Sequence, residues 1–253
     1  MLRSPIALAA SVVLAAALAP PSRAEELSPG EETVFSVSYL GVPTGEARIR
    51  VGRAEGDLWP VIFQARTAGA ASLFDIREHL VTYWDALRRA SRGSDLQAYE
   101  VGDFHADSAR FDQDSRTVIV VEQRRGRTPR RTVLKVPEGA LDLAGAFCWL
   151  RLQKLGVGTR FELPVVAGTT QFTLVAEVLG NEAVRTPLGQ IPSLKIRVRT
   201  AFEGKFSTRR DSYLWLADEP GHRLVRAAAE FAVGAVVGEL KSYHPGGQVV
   251  AAH

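Results

Sequence analysis

Few residues in this sequence have the spacing that chemistry requires. The histidines, His79, His105, His222, His244 and His253, never fall three to five positions apart, and none stands beside the single cysteine. A zinc centre needs three or four nitrogen, sulfur or oxygen ligands in register. Such a set could come only from distant strands, so neither a metal nor a cofactor is expected. There is no G-x-S-x-G elbow, P-loop or H-E-x-x-H segment. Cys148 lies between Phe147 and Trp149, a setting for packing rather than for an exposed thiolate nucleophile. Asp75, Arg77, Glu78 and His79 cluster at the start of one strand pattern, and Arg209, Arg210 and Asp211 in another. Paired carboxylates could perform acid–base work, but the solvent face of an antiparallel sheet is ordinarily charged. The expectation is therefore no catalytic residue and no enzyme. A hydrolase or lyase with an acid/base site assembled from separate strands is the alternative.

Two groups point to binding. Arg124, Arg125, Arg127, Arg130 and Arg131 place five arginines and no acid within eight residues. Guanidinium forks match phosphate and carboxylate oxygens, so anionic lipid heads or glycan phosphates are candidate partners, against the simpler reading of a solvated hairpin tip. Nucleic acid is not expected, because single-strand binding wants interleaved aromatics and this stretch has none. The second group is aromatic: Tyr39, Trp59, Phe63, Phe74, Tyr83, Trp84, Trp149, Tyr213 and Trp215 fall in or beside the regular elements. If the sheet forms a cradle, Tyr39, Trp59, Phe63, Tyr83, Trp84, Tyr213 and Trp215 are the expected lining for an acyl chain or a sugar ring. Ordinary core is the simpler reading.

The elements that must position these groups are mostly strands. Phe35, Val37 and Tyr39 alternate with smaller residues, and Ala47, Ile49 and Val51 with charged ones, so 34–51 reads as a hairpin turning at 41–45. Further strand patterns occupy 59–68, 78–84, 96–106, 110–112, 117–124 and 130–136, with 87–94 read as a loop or short helical turn. After a helix come strands at 160–166, 171–179, 194–202, 207–216, 224–231 and 236–243. Gly168, Gly180-Asn181, Glu203-Gly204 and Asp218 to Gly221 mark the turns between them. The helix is expected at about 142–155: Asp142 caps it, Leu143, Ala146, Phe147, Leu150 and Leu155 recur at its period, Arg151 and Lys154 occupy its last turn, and Gly156 follows. The fold class is mainly β: a curved, meandering antiparallel sheet of about twelve strands, as half-barrel, barrel or sandwich, packed on one helix.

Several segments, in this order, resemble the secreted bacterial family known only as domain of unknown function 3108. They are Val37-Ser38-Tyr39-Leu40-Gly41-Val42-Pro43-Thr44-Gly45-Glu46, then Phe111-Asp112, Ala140-Leu141-Asp142, Trp149-Leu150-Arg151, and Tyr213-Leu214-Trp215-Leu216-Ala217-Asp218. The likeness spans about residues 33–243. It implies an exported protein with a curved antiparallel sheet and no assigned enzymatic activity, and it brings no catalytic residues. Where that family often carries two aspartates after the Trp-Leu pair, this chain has Asp218-Glu219-Pro220.

Residues 1–24 read as a signal peptide, with Arg3, an apolar run from Ile6 to Leu18 and the small-x-small site Ser22-Arg23-Ala24. That run is shorter than the roughly 20 residues of a membrane span, so the expected product is a periplasmic or secreted chain, 25–253, forming one β-rich domain with no transmembrane anchor. Losing Arg3 and Arg23 lowers the formal charge from +3 to +1, so the basic pI carries little information about partners. Cys148 is the only cysteine and rules out an intrachain disulfide. The partners expected are an envelope lipid or glycan, or other envelope proteins in an assembly role without a small ligand. N-terminal sequencing of the exported protein should begin close to Glu25; a start at Met1 would refute the processing.

Overall fold

A computed structural model of the chain describes residues 27–69, 71, 75–201, 211–230 and 235–247. The region 1–24, Phe74, Arg209, Arg210 and Glu203-Gly204 lie outside the described residues. Eight strands precede the helix: β1 (Glu31–Tyr39), β2 (Val42–Val51), β3 (Leu58–Thr67), β4 (Ile76–Asp85), β5 (Ala90–Glu100), β6 (Asp103–Asp112), β7 (Thr117–Arg124) and β8 (Arg130–Lys135). The two-residue β9 (Leu141–Asp142) leads into α1 (Leu143–Arg151). Six more follow: β10 (Arg160–Ala167), β11 (Thr170–Thr186), β12 (Gly189–Ala201), β13 (Ser212–Ala217), β14 (Leu224–Glu230) and β15 (Ala235–Pro245).

All fifteen strands belong to one sheet, ordered β8-β7-β6-β5-β4-β3-β2-β1-β15-β14-β13-β12-β11-β10-β9. Two meanders are thus fused along the β1/β15 pair, which runs from Glu31↔Pro245 to Tyr39↔Val236. Every pairing is antiparallel except β9 with β10. The edge strands β8 and β9 are not paired with each other, so the sheet is an open curl rather than a hydrogen-bonded barrel. One core cluster joins side chains of both meanders and the helix, among them Phe35, Val61, Trp84, Ala146, Leu150, Val165, Ile196 and Leu240. A smaller one seats Phe111, Val118 and Val120 against Val166 of β10 and closes the curl by packing.

The mainly β fold with one helix is as expected; several details differ. The described residues form fifteen strands rather than about twelve. Residues 90–94, expected in a loop, open β5, and the run expected at 96–106 turns at Val101-Gly102. Gly180-Asn181 is no turn: β11 continues through it with a register shift between Val178 and Gly180. Such a shift inserts an unpaired residue and bends the strand.

The helix is shorter than expected. It ends at Arg151, leaving Lys154 and Leu155 beyond it, because Leu152 and Gln153 donate in a tighter turn to the carbonyls of Trp149 and Leu150, both at 3.1 Å. Leu143, expected on the buried face, is 47% exposed, while Cys148 and Leu150 are enclosed. Asp142 caps as expected, its Oδ1 accepting from the Gly145 N–H at 2.8 Å. Its Oδ2 lies 2.8 Å from the Thr82 hydroxyl, and its own N–H donates to Ser91 Oγ at 3.1 Å. The first turn of the helix is thereby tied to β4 and β5. At the other end Arg151 donates to Glu31 Oε1 at 2.8 Å and, through Nε, to the Gly221 carbonyl at 2.8 Å. Both charged side chains are buried, at 4% and 6% exposure.

Removing one partner of such a buried pair leaves a charge without compensation and costs about 3 to 5 kcal/mol, a large part of a typical 5 to 15 kcal/mol stability. Urea unfolding of Arg151→Ala should show a loss of that size, and wild-type-like unfolding would mean the pair does not hold the helix. Burial raises the Asp142 carboxyl above its ordinary value against four opposing hydrogen bonds. The unfolded chain then releases its proton first as pH rises, so stability falls between the unfolded and folded pKa values. Asp142→Asn keeps a capping side chain and should flatten that stretch of the stability–pH curve. Burial likewise raises the Cys148 thiol, which should resist a thiol reagent until denaturant is added.

Candidate functional site

Register assigns each strand residue to a face. Phe35, Ala47, Ala65, Glu78, Ala98, His105 and Arg124 are successive partners across β1 to β7 and form one inward row. The next inward row is Ile49, Phe63, Leu80 and Leu96. From the other meander Gly238, Ala227 and Leu214 are mutual partners on the same side. The helix lies across one end of this concave face: Phe147 meets Phe63 edge to face, centroids 5.9 Å apart, and Trp149 meets Phe161 at 5.5 Å. On the open side of the helix the small inward residues leave a cavity of about 220 Å³ bounded by Phe35, Ile49, Phe63, Leu224, Ala227 and Gly238. Ile49 and Phe63 are only half-buried there, as are Leu80, Leu96 and Leu214 elsewhere on the same face.

One carboxylate faces this apolar space. Glu78 borders the cavity and remains accessible to solvent. The surrounding concave wall still strips away enough water to raise its pKa, Glu100 raises it further, and His105 opposes. Beyond Leu96 the inward face turns polar, where Arg124 forms an ion pair with Asp107 and approaches Glu122 at 3.7 Å.

The outer face carries a groove of about 610 Å³ across β2 to β6. Its two walls are the partner rows Arg48, Gln64, His79, Gln97 and Glu46, Arg66, Arg77, Tyr99, Phe104. Glu46 accepts from Lys241 at 3.1 Å and lies 3.7 Å from both Arg48 and Arg66; Lys241 first among these holds its carboxyl below the ordinary value. Arg77 stacks on Tyr99 at 4.8 Å and pairs with Asp75 at 3.0 Å.

The seven aromatics expected to line a cradle divide between the faces. Phe63 and Trp59 pack inward against the core, and Trp84 is 1% exposed within it. Tyr83 looks outward, donating to Asp95 at 2.9 Å beneath Arg110. Tyr213 and Trp215 also belong to the outer side. Trp215 lies between Lys195 at 5.1 Å and Arg226 at 5.0 Å, and its indole N–H donates to Glu182 at 3.1 Å. Tyr39 is half-buried at the end of β1. The expected charge clusters separate as well: Glu78 points inward, its neighbour His79 outward, and Asp211 pairs with Arg199 at 2.6 Å.

The arginine hairpin divides too. Arg124 is engaged by Asp107, and Arg125 donates to the Gly102 carbonyl at 3.1 Å. The side chains of Arg127, Arg130 and Arg131 are exposed and have no carboxylate partner among the described residues. Glu78 was marked in the sequence only within a local charge cluster, and the small inward residues Ala47, Ala65, Ala98 and Gly238 had no signal, because they come together only through cross-strand register. Among the described residues no group of three His, Cys, Asp or Glu side chains is placed to hold a metal ion, and no helix is long and apolar enough to cross a membrane.

One solved structure shares this architecture, and a second aligns more loosely. A beta-barrel-like protein of domain of unknown function DUF1849 from Brucella abortus superimposes with a TM-score of 0.59 at 10% identity, over 86% of this chain and 98% of that one. A "putative lipoprotein" from Parabacteroides distasonis ATCC 8503 aligns over 87% and 97% at 11% identity, with a TM-score of only 0.36. The first establishes a barrel-like fold and nothing about activity. No curated protein matches the sequence. The family model that does match covers residues 34–241, and the chain belongs to the family it describes, protein of unknown function (DUF3108).

Proposed function

We propose that the chain is an exported carrier, rather than an enzyme, that shelters the apolar part of an amphiphile such as an envelope lipid inside the curl. The supporting observation is the inward face on the open side of α1. There Ile49 and Phe63 stay half-buried around a cavity of about 220 Å³, and Leu80, Leu96 and Leu214 stay half-buried elsewhere on the same face. A face serving only as core would fill that space, since protein interiors are close-packed. Alanine and glycine keep it open instead. Complete drug-sized ligands occupy roughly 300 to 1,000 Å³, so this cavity suits one segment of a chain whose remainder continues along the open side. Phe35 and Phe63 are the aromatic contacts for such a chain. The outer groove, with its glutamines, arginines and Tyr99, favours a second reading in which an acidic glycan binds the same protein from outside.

Filling the cavity tests the carrier reading. Gly238 has ordinary dihedral angles, and a Cβ there would meet only the Phe35 Cβ at 3.9 Å, so the backbone tolerates a side chain. Gly238→Leu should occupy the space and weaken binding of a fluorescent long-chain fatty acid about tenfold, the value of displacing two buried methylenes at roughly 0.8 kcal/mol each. Unchanged affinity, or no binding by the parent protein, would refute the site. The raised Glu78 carboxyl adds a pH signature. Below its folded pKa it is neutral and tolerates an anionic head nearby; above it, two like charges face each other. Fatty-acid affinity should therefore fall as pH rises through that pKa, and Glu78→Gln should remove the dependence.

A further inference from the structure

The end of the sheet opposite α1 carries aliphatic side chains where turns ordinarily take asparagine. Leu40 and Val101 each occupy the first position of a two-residue turn before glycine, at φ 52° and 48°. Both central residues of such turns need positive φ, which favours Asn-Gly or Asp-Gly, and a β-branched residue there is an outlier. Yet Leu40 is 59% exposed and Val101 68%, so no packing repays the strain. Strain of this kind, held at a surface that gains nothing from it in the folded chain, points to use by a partner.

These tips stand beside the arginines. Arg125 donates from its backbone to the Phe104 carbonyl at 3.2 Å and from its side chain to Gly102 at 3.1 Å, which sets the basic turn against Val101. Val101 in turn donates to Asp75 at 3.4 Å, next to the exposed Ile76. Leu40 caps the β1/β2 turn at the same end of the sheet. The α1 end also exposes aliphatic residues, including Leu87 and Leu143. Arg88 there is paired with Asp114 at 3.1 Å and Arg116 with Glu138 at 2.7 Å, while Arg89 beside Leu87 is exposed and in no ion pair among the described residues. Among the described residues, only the opposite rim holds aliphatic side chains at positive φ beside arginines lacking a carboxylate.

We propose that this rim docks on the surface of an anionic phospholipid bilayer. The aliphatic tips leave water among the lipid head groups and the guanidinium groups of Arg125 and Arg127 meet phosphates, a combination of apolar burial and charge attraction that retains a protein at a membrane surface. The proposal goes beyond the carrier reading and does not depend on it, since a protein with a filled cavity would dock by the same rim.

Flotation of the purified protein with vesicles tests it. Vesicles of phosphatidylcholine with phosphatidylglycerol should carry the protein upward, those of phosphatidylcholine alone should not, and added salt should weaken the association as exposed charges are screened. The double variant Leu40→Asn, Val101→Asn should lose flotation about tenfold or more, because two aliphatic side chains no longer leave water. Its melting temperature should stay level or rise, as asparagine tolerates the left-handed region. Arg125→Ser with Arg127→Ser should lose flotation with the fold intact, and Gly238→Leu should float like the parent. Absent flotation of the parent, equal flotation with phosphatidylcholine alone, or parent-like flotation of the asparagine variant would each overturn the proposal.

Discussion

A guanidinium removed from water needs an anion and further acceptors around it, or the fold pays more in desolvation than it recovers. Arg151 meets that demand by reaching from the end of α1 to Glu31 at the start of β1 and to the turn at Gly221. The pair does more than neutralise itself. It fixes the end of the helix against both meanders at once, near the seam where β1 meets β15. With Asp142 fastened to Thr82 and Ser91 at the other end, the helix becomes a crossbar of set position and length. An open sheet of fifteen strands has no hydrogen-bonded closure, and the crossbar with the packing of Val166 on Phe111 and Val118 takes its place.

What could be read from the sequence was whatever depends on near neighbours. The hairpin of β1 and β2 was legible because its alternation is local, and the start of the helix because Asp142 caps a residue three positions on. The end of the helix was not: the chain tightens at Leu152 and Gln153, and Arg151, which reads locally as an exposed last-turn cation, is held by Glu31, 120 residues away. The start of β5 escaped because Ser91 is an inward polar residue that only Asp142 explains. Gly180-Asn181 imitates a turn, and only pairing with β12 shows it to be a bulge.

The candidate site was legible only in its ingredients. Tyr83 and Trp84 are consecutive in a strand and so must face opposite ways, which already divides any single aromatic lining. The inward row of small residues has no period along the chain, since its members are drawn from strands that meet only in the sheet. The outer face shows the complementary logic. Several of its aromatics are covered by their neighbours' cations, as Trp215 is by Lys195 and Arg226.

The β1/β15 seam fixes when this chain can become itself. Strands Glu31–Tyr39 and Ala235–Pro245 are separated by nearly the whole described sequence, yet they pair at the middle of the sheet. Closing a loop of that length is the kind of non-local step that slows folding. A ribosome extruding the protein releases β15 last among these strands, so β1 leaves synthesis with one edge vacant and the two meanders remain unjoined until β15 emerges. Until then that vacant edge is a template on which another strand can pair.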